Sequence, residues 1–171
     1  MDTYFDLGEY SFPVTTQSTE AQKWFDRGIL WTYGYNHEEA VICFERAIDA
    51  DPKCAMAYWG AGYASGPNYN MPWDLFDYAG RAAAARAGYA HARKALDMID
   101  GVTRWEAALI NALPARYPQP EPLDPETMKS WNVDFADAMR DVFAVHPESH
   151  EVRAVFAESL LNLTPWKMWD L

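Results

Sequence analysis

The sequence predicts an all-α fold, an α-solenoid of stacked antiparallel helix pairs. Apolar residues recur at helical spacing along most of the chain, capping residues precede those stretches, and no stretch shows the alternation of a convincing strand. The chain also repeats itself: Trp24 and Tyr58 lie 34 residues apart, as do Gly28 and Gly62. A repeat of that length is typical of stacked helix pairs.

The N-terminal 17 residues differ from the rest of the chain because their aromatic residues follow no clear period. We expect residues 1–17 to form an extended arm that packs these rings on the helical domain, residues 18–171. From Ser18 the pattern becomes helical. Ser18 or Thr19 can cap a first helix that runs to about Tyr33.

Two further helices precede a loop. Asn36 caps the second helix, with Glu39 at capping-box spacing, and this helix stops before Pro52. A third helix is predicted over 54–64. The segment 66–73, GPNYNMPW, is predicted as a loop because its two prolines, one glycine and two asparagines disfavour a helix.

Four more helices follow the loop. The first is rich in alanine, and the second starts at a capping box formed by Thr103 and Glu106. Asp124 caps the third, with Pro125 at its first position, and Pro147 separates it from the last. The predicted spans are 75–99, 103–116, 124–146 and 149–163.

The first repeat carries marker residues at a familiar spacing. They are Trp24, Gly28, Trp31, Ala40, Phe44, Ala47 and Pro52. With them the chain resembles the tetratricopeptide-repeat family. The resemblance implies a first repeat at about 21–54, a second repeat with an insertion at 55–99, and divergent helices over 103–163. Small Gly28 and Ala40 are expected where paired helices cross closely, and bulky Phe44 where neighbouring pairs meet.

Four segments extend the resemblance beyond the repeat. NHEEA, CAMAYWG, GPNYN and NLTPW are similar to the beginning of longer repeat-like proteins of bacteria and fungi. This similarity implies that the chain is part of a larger solenoid. We therefore expect a protein partner or companion chain that continues the solenoid after Leu171.

The inner face of such a stack is the first candidate binding surface. The family's inward positions correspond here to Phe25, Ile29, Tyr33, Met56, Trp59 and Tyr63. Family members that bind acidic peptide tails use Lys, Arg and Asn on this face, so these apolar residues argue against that role. The face is predicted either to hold an apolar ligand or partner segment, or to be covered by another part of the solenoid.

The loop 66–73 is the second candidate. Long insertions in repeat proteins usually lie on the binding face. Asn68, Tyr69, Asn70 and Trp73 offer amides, a phenol and an indole at the mouth of the predicted pocket. The alternative is a rigid structural plug.

Histidines raise the question of a metal or catalytic site. His37, followed by two glutamates, is a candidate transition-metal ligand or general base, and otherwise a packing residue at a helix elbow. His146 and His150 are four residues apart, but Pro147 between them favours a solvated corner. No other cofactor or catalytic motif is recognisable.

The amino-acid composition disfavours some classes of partner. The formal charge is −11, from 14 Lys and Arg against 25 Asp and Glu, which disfavours nucleic acid and anionic membrane surfaces. Two cysteines, an acidic N-terminus and the lack of a long apolar run predict a cytoplasmic protein. The leading hypothesis is a tetratricopeptide-type binding or scaffold module. The alternative is the N-terminal portion of an enzyme, with or without a metal, whose active site lies in the solenoid concavity.

Overall fold

The computed structural model describes residues 4–168, and this part of the chain is all helical, as predicted. It contains seven α-helices and no strand, only an isolated bridge between Asn68 and Met71. Residues 1–3 of the predicted arm and 169–171 of the predicted helical domain lie outside the described residues. The helices are α1 Thr19–Tyr33, α2 His37–Ala50, α3 Ala55–Ser65, α4 Tyr78–Leu96, α5 Arg104–Ala112, α6 Pro125–Val145 and α7 His150–Leu161.

The predicted capping residues start their helices. Each accepts a hydrogen bond from a backbone N–H of the first turn, which satisfies a donor that has no partner within the helix. Thr103 and Glu106 form the complete capping box of α5. The caps predicted from sequence and observed are Ser18, Asn36, Thr103 and Asp124, and Ser149 caps the last helix in the same way.

Three predicted boundaries were wrong, at both ends of α4 and at the end of α5. Helix α4 ends at Leu96 rather than 99, and Ile99–Gly101 form a separate 3₁₀ turn. Helix α4 begins at Tyr78 rather than 75 because the Asp77 carboxylate caps it, accepting the Gly80 N–H at 2.6 Å. Residues Trp73–Leu75 form a separate 3₁₀ turn. Helix α5 ends at Ala112, and Leu113–Arg116, which contains a proline, continues as a 3₁₀ turn.

Consecutive helices pack against each other, with α1 on α2, α2 on α3, α3 on α4, and α6 on α7. The ring of Phe44 in α2 lies between two glycines from the flanking helices. A Cβ atom on Gly28 of α1 would lie 2.6 Å from this ring, and a Cβ on Gly60 of α3 would also overlap it. The three helices therefore approach closely because these two positions carry no side chain.

The arm packs on the helices by stacking its rings. Phe12 is 2% exposed and stacks on Trp105 at 5.1 Å between ring centroids, with its other neighbour Phe25 at 5.6 Å. The Tyr4 hydroxyl donates to Glu39 Oε1 at 2.6 Å. The arm thus joins α1, α2 and α5 through both apolar and polar contacts.

Candidate functional site

The predicted inner face is core in this structure. Five of its six side chains are at most 2% exposed: Phe25, Ile29, Met56, Trp59 and Tyr63. The Trp59 Nε1–H donates to the carbonyl oxygen of Leu109 in α5 at 3.1 Å, and Tyr63 contacts Phe135 of α6. The later helices cover these rings, so they present no open surface to a ligand.

Tyr33 is the exception on the inner face, with 38% of its surface exposed. Its ring lies edge-on to Tyr10 of the arm, with centroids 6.4 Å apart. Burial raises the pKa of the Tyr33 phenol. Tyr33 therefore contacts a ring of the arm, and not a ring of the predicted inner face.

The inserted loop is held by its own amide and by the C-terminal segment. Asn68 is 6% exposed, and its Oδ1 accepts from the N–H groups of Asn70 and Met71 at 2.9 and 3.1 Å. The Tyr69 hydroxyl accepts the Met168 N–H at 3.1 Å. Asn70 is exposed. Asn68 is thus occupied with shaping the turn, and the loop itself is ordered by local bonds.

A buried arginine fixes the start of the loop. Arg116 is 1% exposed; its Nη2 donates to the carbonyl oxygen of Pro67, and its guanidinium lies over the rings of Tyr63 and Phe135 at 5.1 and 4.9 Å. A Cβ on Gly66 would overlap the Tyr117 hydroxyl. Arg116 was not predicted from sequence, since nothing near it in the chain marks it as buried.

One ion pair and two hydrogen bonds connect this arginine with the C-terminal segment. Glu158 Oε2 accepts the Tyr63 hydroxyl at 2.8 Å and lies 3.9 Å from Arg116 Nη1. Glu158 Oε1 accepts from Asn162 Nδ2 at 2.6 Å. Burial and the Glu158 charge raise the pKa of the Tyr63 phenol, which keeps it a donor.

A cavity of about 500 Å³ opens beside the loop, and we call it the Trp73 cavity. Its walls come from the loop, from α6 and from the segment that follows α7. Apolar side chains form most of these walls. They are Pro72, Leu75, Val133, Leu163, Pro165 and Trp166. The size and lining match those of sites that bind small organic molecules.

Three nearly buried residues that line the Trp73 cavity carry polar atoms without a hydrogen-bond partner in the described residues. These atoms are Trp73 Nε1, Asn132 Oδ1 and Asn162 Oδ1, on residues exposed by only 1%, 5% and 4%. A buried polar atom without a partner costs about 1–3 kcal/mol. These atoms have almost no accessible surface, so they lie beneath the cavity wall and should lower stability.

A second cavity, of about 590 Å³, also borders the loop and is lined by His37. The His37 Nδ1 lies 3.2 Å from the carbonyl oxygen of Ala64. Since a carbonyl only accepts, Nδ1 carries the proton and Nε2 of the neutral ring is an acceptor. Burial, and then the charge of Arg116, lower the pKa of His37 to about 4. Of the predicted loop residues, Asn68 lines this His37 cavity and Trp73 the other.

Both cavities contain an aromatic residue in the left-handed backbone region. Tyr35, at φ 59°, lines the His37 cavity, and its ring stacks on His37 at 6.3 Å. Trp166, at φ 62°, lines the Trp73 cavity and is 63% exposed. This conformation is unfavourable for residues other than glycine, and strained residues concentrate at functional sites.

His37 belongs to no three-residue metal site among the described residues. Within residues 4–168, no three His, Cys, Asp or Glu side chains are grouped so that they could hold a metal ion. Cys43 and Cys54 are free thiols, and burial raises the pKa of both. Among these residues, His37 is suited to proton transfer or hydrogen bonding.

Sequence reasoning identified Trp73 but missed Asn132 and Asn162. Asn132 did leave a signal, because it lies on the apolar stripe of α6 formed by residues such as Met128, Phe135 and Met139. A polar residue on such a stripe needs a partner or a ligand. Asn162 left no signal, since it comes directly after α7 among residues typical of a helix end.

Comparison with family models, with curated proteins and with solved structures gave no match to this chain. The function must therefore be inferred from the site itself. Across residues 4–168, none of the helices has both the length and the apolar character needed to cross a bilayer.

Proposed function

We propose that this chain is a binding module that holds a small, mostly apolar organic molecule in the Trp73 cavity. The scaffold in this proposal is an α-solenoid of the tetratricopeptide type. The packing of α1, α2 and α3 around Phe44 supports it, because Gly28 and Phe44 are family markers and occupy the positions that such a stack requires.

One observation carries the binding proposal. The Trp73 cavity has a volume of about 500 Å³ and mostly apolar walls, and it is bordered by the inserted loop, by α6 and by the segment after α7. Sites that hold small organic molecules have this size and this kind of lining.

The site differs from the one expected on the inner face. Phe25, Trp59 and Tyr63 are core residues here, so the ligand is placed at the inserted loop instead. Two hollows of about 520 and 370 Å³ border the arm, but none of the predicted site residues lines either of them. The loop is therefore the element that brings the candidate residues to a cavity.

An enzymatic role is the second candidate, and the geometry of His37 favours it. A neutral imidazole whose tautomer is fixed by Ala64 lines a cavity of its own, where its second nitrogen could accept a proton. This role would place the chemistry in the His37 cavity, across the loop from Trp73.

A titration with the neutral fluorescent probe N-phenyl-1-naphthylamine tests the proposal. We expect saturable binding to the wild-type protein, and at least 10-fold weaker binding to Val133→Trp, because the larger ring fills the Trp73 cavity. Val133 is 47% exposed, so this change should not prevent folding. The matched control is Val145→Trp, also on α6 but 71% exposed and outside the cavity lining.

The variants separate the candidate sites. Val145→Trp and His37→Ala should bind the probe like the wild type. Absence of saturable binding, or equal losses in Val133→Trp and Val145→Trp, would contradict the proposal. A loss confined to His37→Ala would move the site to the His37 cavity.

A further inference from the structure

The His37 cavity contains a hydrogen-bond acceptor that a bound molecule can reach. The Nδ1–H of His37 donates to the carbonyl oxygen of Ala64 at 3.2 Å, so Nε2 of the neutral ring is left to accept. Nε2 accepts no hydrogen bond from the described residues, yet it is not one of the fully buried polar atoms without a partner. It therefore keeps accessible surface, unlike Trp73 Nε1, and His37 presents it in the cavity that it lines.

Two contacts hold the imidazole in one orientation. The bond to Ala64 fixes Nδ1, and the ring of Tyr35 stacks on the imidazole at 6.3 Å, with 17° between the two planes. Tyr35 holds this position from a left-handed backbone conformation, at φ 59°, which is unfavourable for a tyrosine. Because the imidazole is already ordered, Nε2 can accept from a ligand with little further loss of side-chain entropy.

The walls of the His37 cavity are mostly apolar. The aliphatic and aromatic side chains among them are those of Val41, Ala64, Met71 and Phe76. In such surroundings a hydrogen bond to Nε2 is stronger than in water, and the walls favour an apolar molecular body. The volume of about 590 Å³ admits a molecule of one or two rings.

The electrostatics of the His37 cavity favour an uncharged ligand. Burial and the Arg116 charge, which hold the pKa of His37 low, also disfavour an ammonium group beside Nε2. Among the described residues that line the cavity, only Glu38 carries a formal charge, and it would repel a carboxylate. A carboxylate would also place a second acceptor against Nε2. The partner that fits is a neutral donor, and the acidic O–H of a phenol is a strong one.

We propose that the His37 cavity binds a neutral phenol, whose hydroxyl group donates to His37 Nε2 and whose ring lies among the apolar side chains. This site is separate from the Trp73 cavity, since the two share no lining residue within 4–168. It does not depend on the function proposed for the Trp73 cavity. It adds a ligand class to the enzymatic alternative placed at His37.

Four probes with one ring system test this ligand class: 2-naphthol, 2-methoxynaphthalene, 2-naphthoate and 2-naphthylmethylamine. They offer Nε2 an O–H donor, an ether without a donor, an anion and a cation. By calorimetric titration, we expect 2-naphthol to bind about 10-fold more tightly than 2-methoxynaphthalene, which leaves Nε2 without a partner. The two charged probes should also bind more weakly than 2-naphthol, because burying their charge is unfavourable.

A variant and a spectroscopic measurement assign this preference to His37. His37→Phe keeps a ring for Tyr35 to stack on but removes the acceptor, so 2-naphthol and 2-methoxynaphthalene should then bind equally. The matched control is His91→Phe, because His91 is also half-buried but lines neither cavity. It should keep the 10-fold preference, and thermal unfolding verifies that both variants fold. In the wild type, 2-naphthol should shift the nitrogen NMR resonance of His37 Nε2.

The outcomes separate this inference from the proposed function. The inference is overturned if 2-naphthol does not bind, if another probe binds as tightly, or if saturation with 2-naphthol leaves the His37 Nε2 resonance unchanged. Val133→Trp fills the Trp73 cavity and should keep the preference for 2-naphthol. If it loses that preference, the phenol binds in the Trp73 cavity, and the inference fails while the proposed function stands. If N-phenyl-1-naphthylamine, which has no hydroxyl group, does not bind but 2-naphthol shifts His37, only the proposed function fails.

Discussion

The junction between the arm and α5 and the Trp73 cavity both bury polar groups, but only the first satisfies them. At the junction, the carboxylate of Glu106 is fully buried and accepts from the N–H and hydroxyl groups of Thr15 and Thr103 at 2.6–2.7 Å. In the cavity, Trp73 and Asn162 each keep a buried polar atom without a partner. A saturated cluster contributes to stability, whereas an unsaturated one lowers it.

Removing the saturated cluster should have the largest effect on stability. In Glu106→Gln, one carboxylate oxygen becomes an NH₂ group that must face the backbone N–H of Thr15 or Thr103. We expect the free energy of unfolding to fall by about 2–3 kcal/mol, measured by urea denaturation. Binding of N-phenyl-1-naphthylamine to the folded variant should not change.

The matched control is Glu148→Gln, a carboxylate whose side chain is 75% exposed. Its unfolding free energy should stay within about 0.5 kcal/mol of the wild type. Equal effects at Glu106 and Glu148 would show that the buried bonds add little, and the comparison between the two clusters would lose its basis.

Replacing a residue of the unsaturated cluster should raise the free energy of unfolding instead of lowering it. Asn132→Leu replaces a residue that is 5% exposed and has an unpartnered Oδ1 by an apolar one of similar size. We expect stability to rise by about 1 kcal/mol. Asn162→Leu is the contrast, because Asn162 also donates to Glu158 and its loss should lower stability. Urea denaturation of the two variants would contradict this view if both were destabilised alike.

The smallest expected effect concerns backbone strain. In the arm, the positive φ of 84° falls on Gly8, whereas beside the His37 cavity a φ of 59° falls on Tyr35. Tyr35→Gly should therefore raise stability by about 0.5–1 kcal/mol, offset in part by the lost stack on His37. The neighbouring Tyr33→Gly, at the last residue of α1, loses the ring contact with Tyr10 and should lower stability by about 1 kcal/mol. Thermal unfolding that showed losses in both variants would indicate that Tyr35 is not strained.

Local chemistry explains why the helices could be predicted. Ser18, Asn36, Asp124 and Ser149 are caps whose effect depends only on the next few residues, and all four start helices. A predicted helix boundary was wrong where two local signals competed. At the start of α4, Asp77 provides a cap two residues after the predicted start at 75. Helix content is thus determined by short-range interactions.

The site depends on tertiary packing, and much of it could not be predicted. The inner-face positions were carried over from a family whose concave face is open, but here α5 and α6 cover Trp59 and Tyr63. The Trp73 cavity joins Asn132 to Asn162, thirty positions apart in the chain, through the packing of α6 and α7. Only Trp73 was identified, because prolines and asparagines beside it marked the loop.

The close contact of Gly28 and Gly60 with the Phe44 ring restricts which residues can replace these three. Each glycine tolerates no larger residue while the phenyl ring is present, and the ring cannot shrink without leaving a void between three helices. A single change at any of the three positions lowers stability. A paired exchange that places a smaller residue at 44 and alanine at 60 restores the packed volume. Among descendants of this sequence, these positions should therefore drift together rather than one at a time.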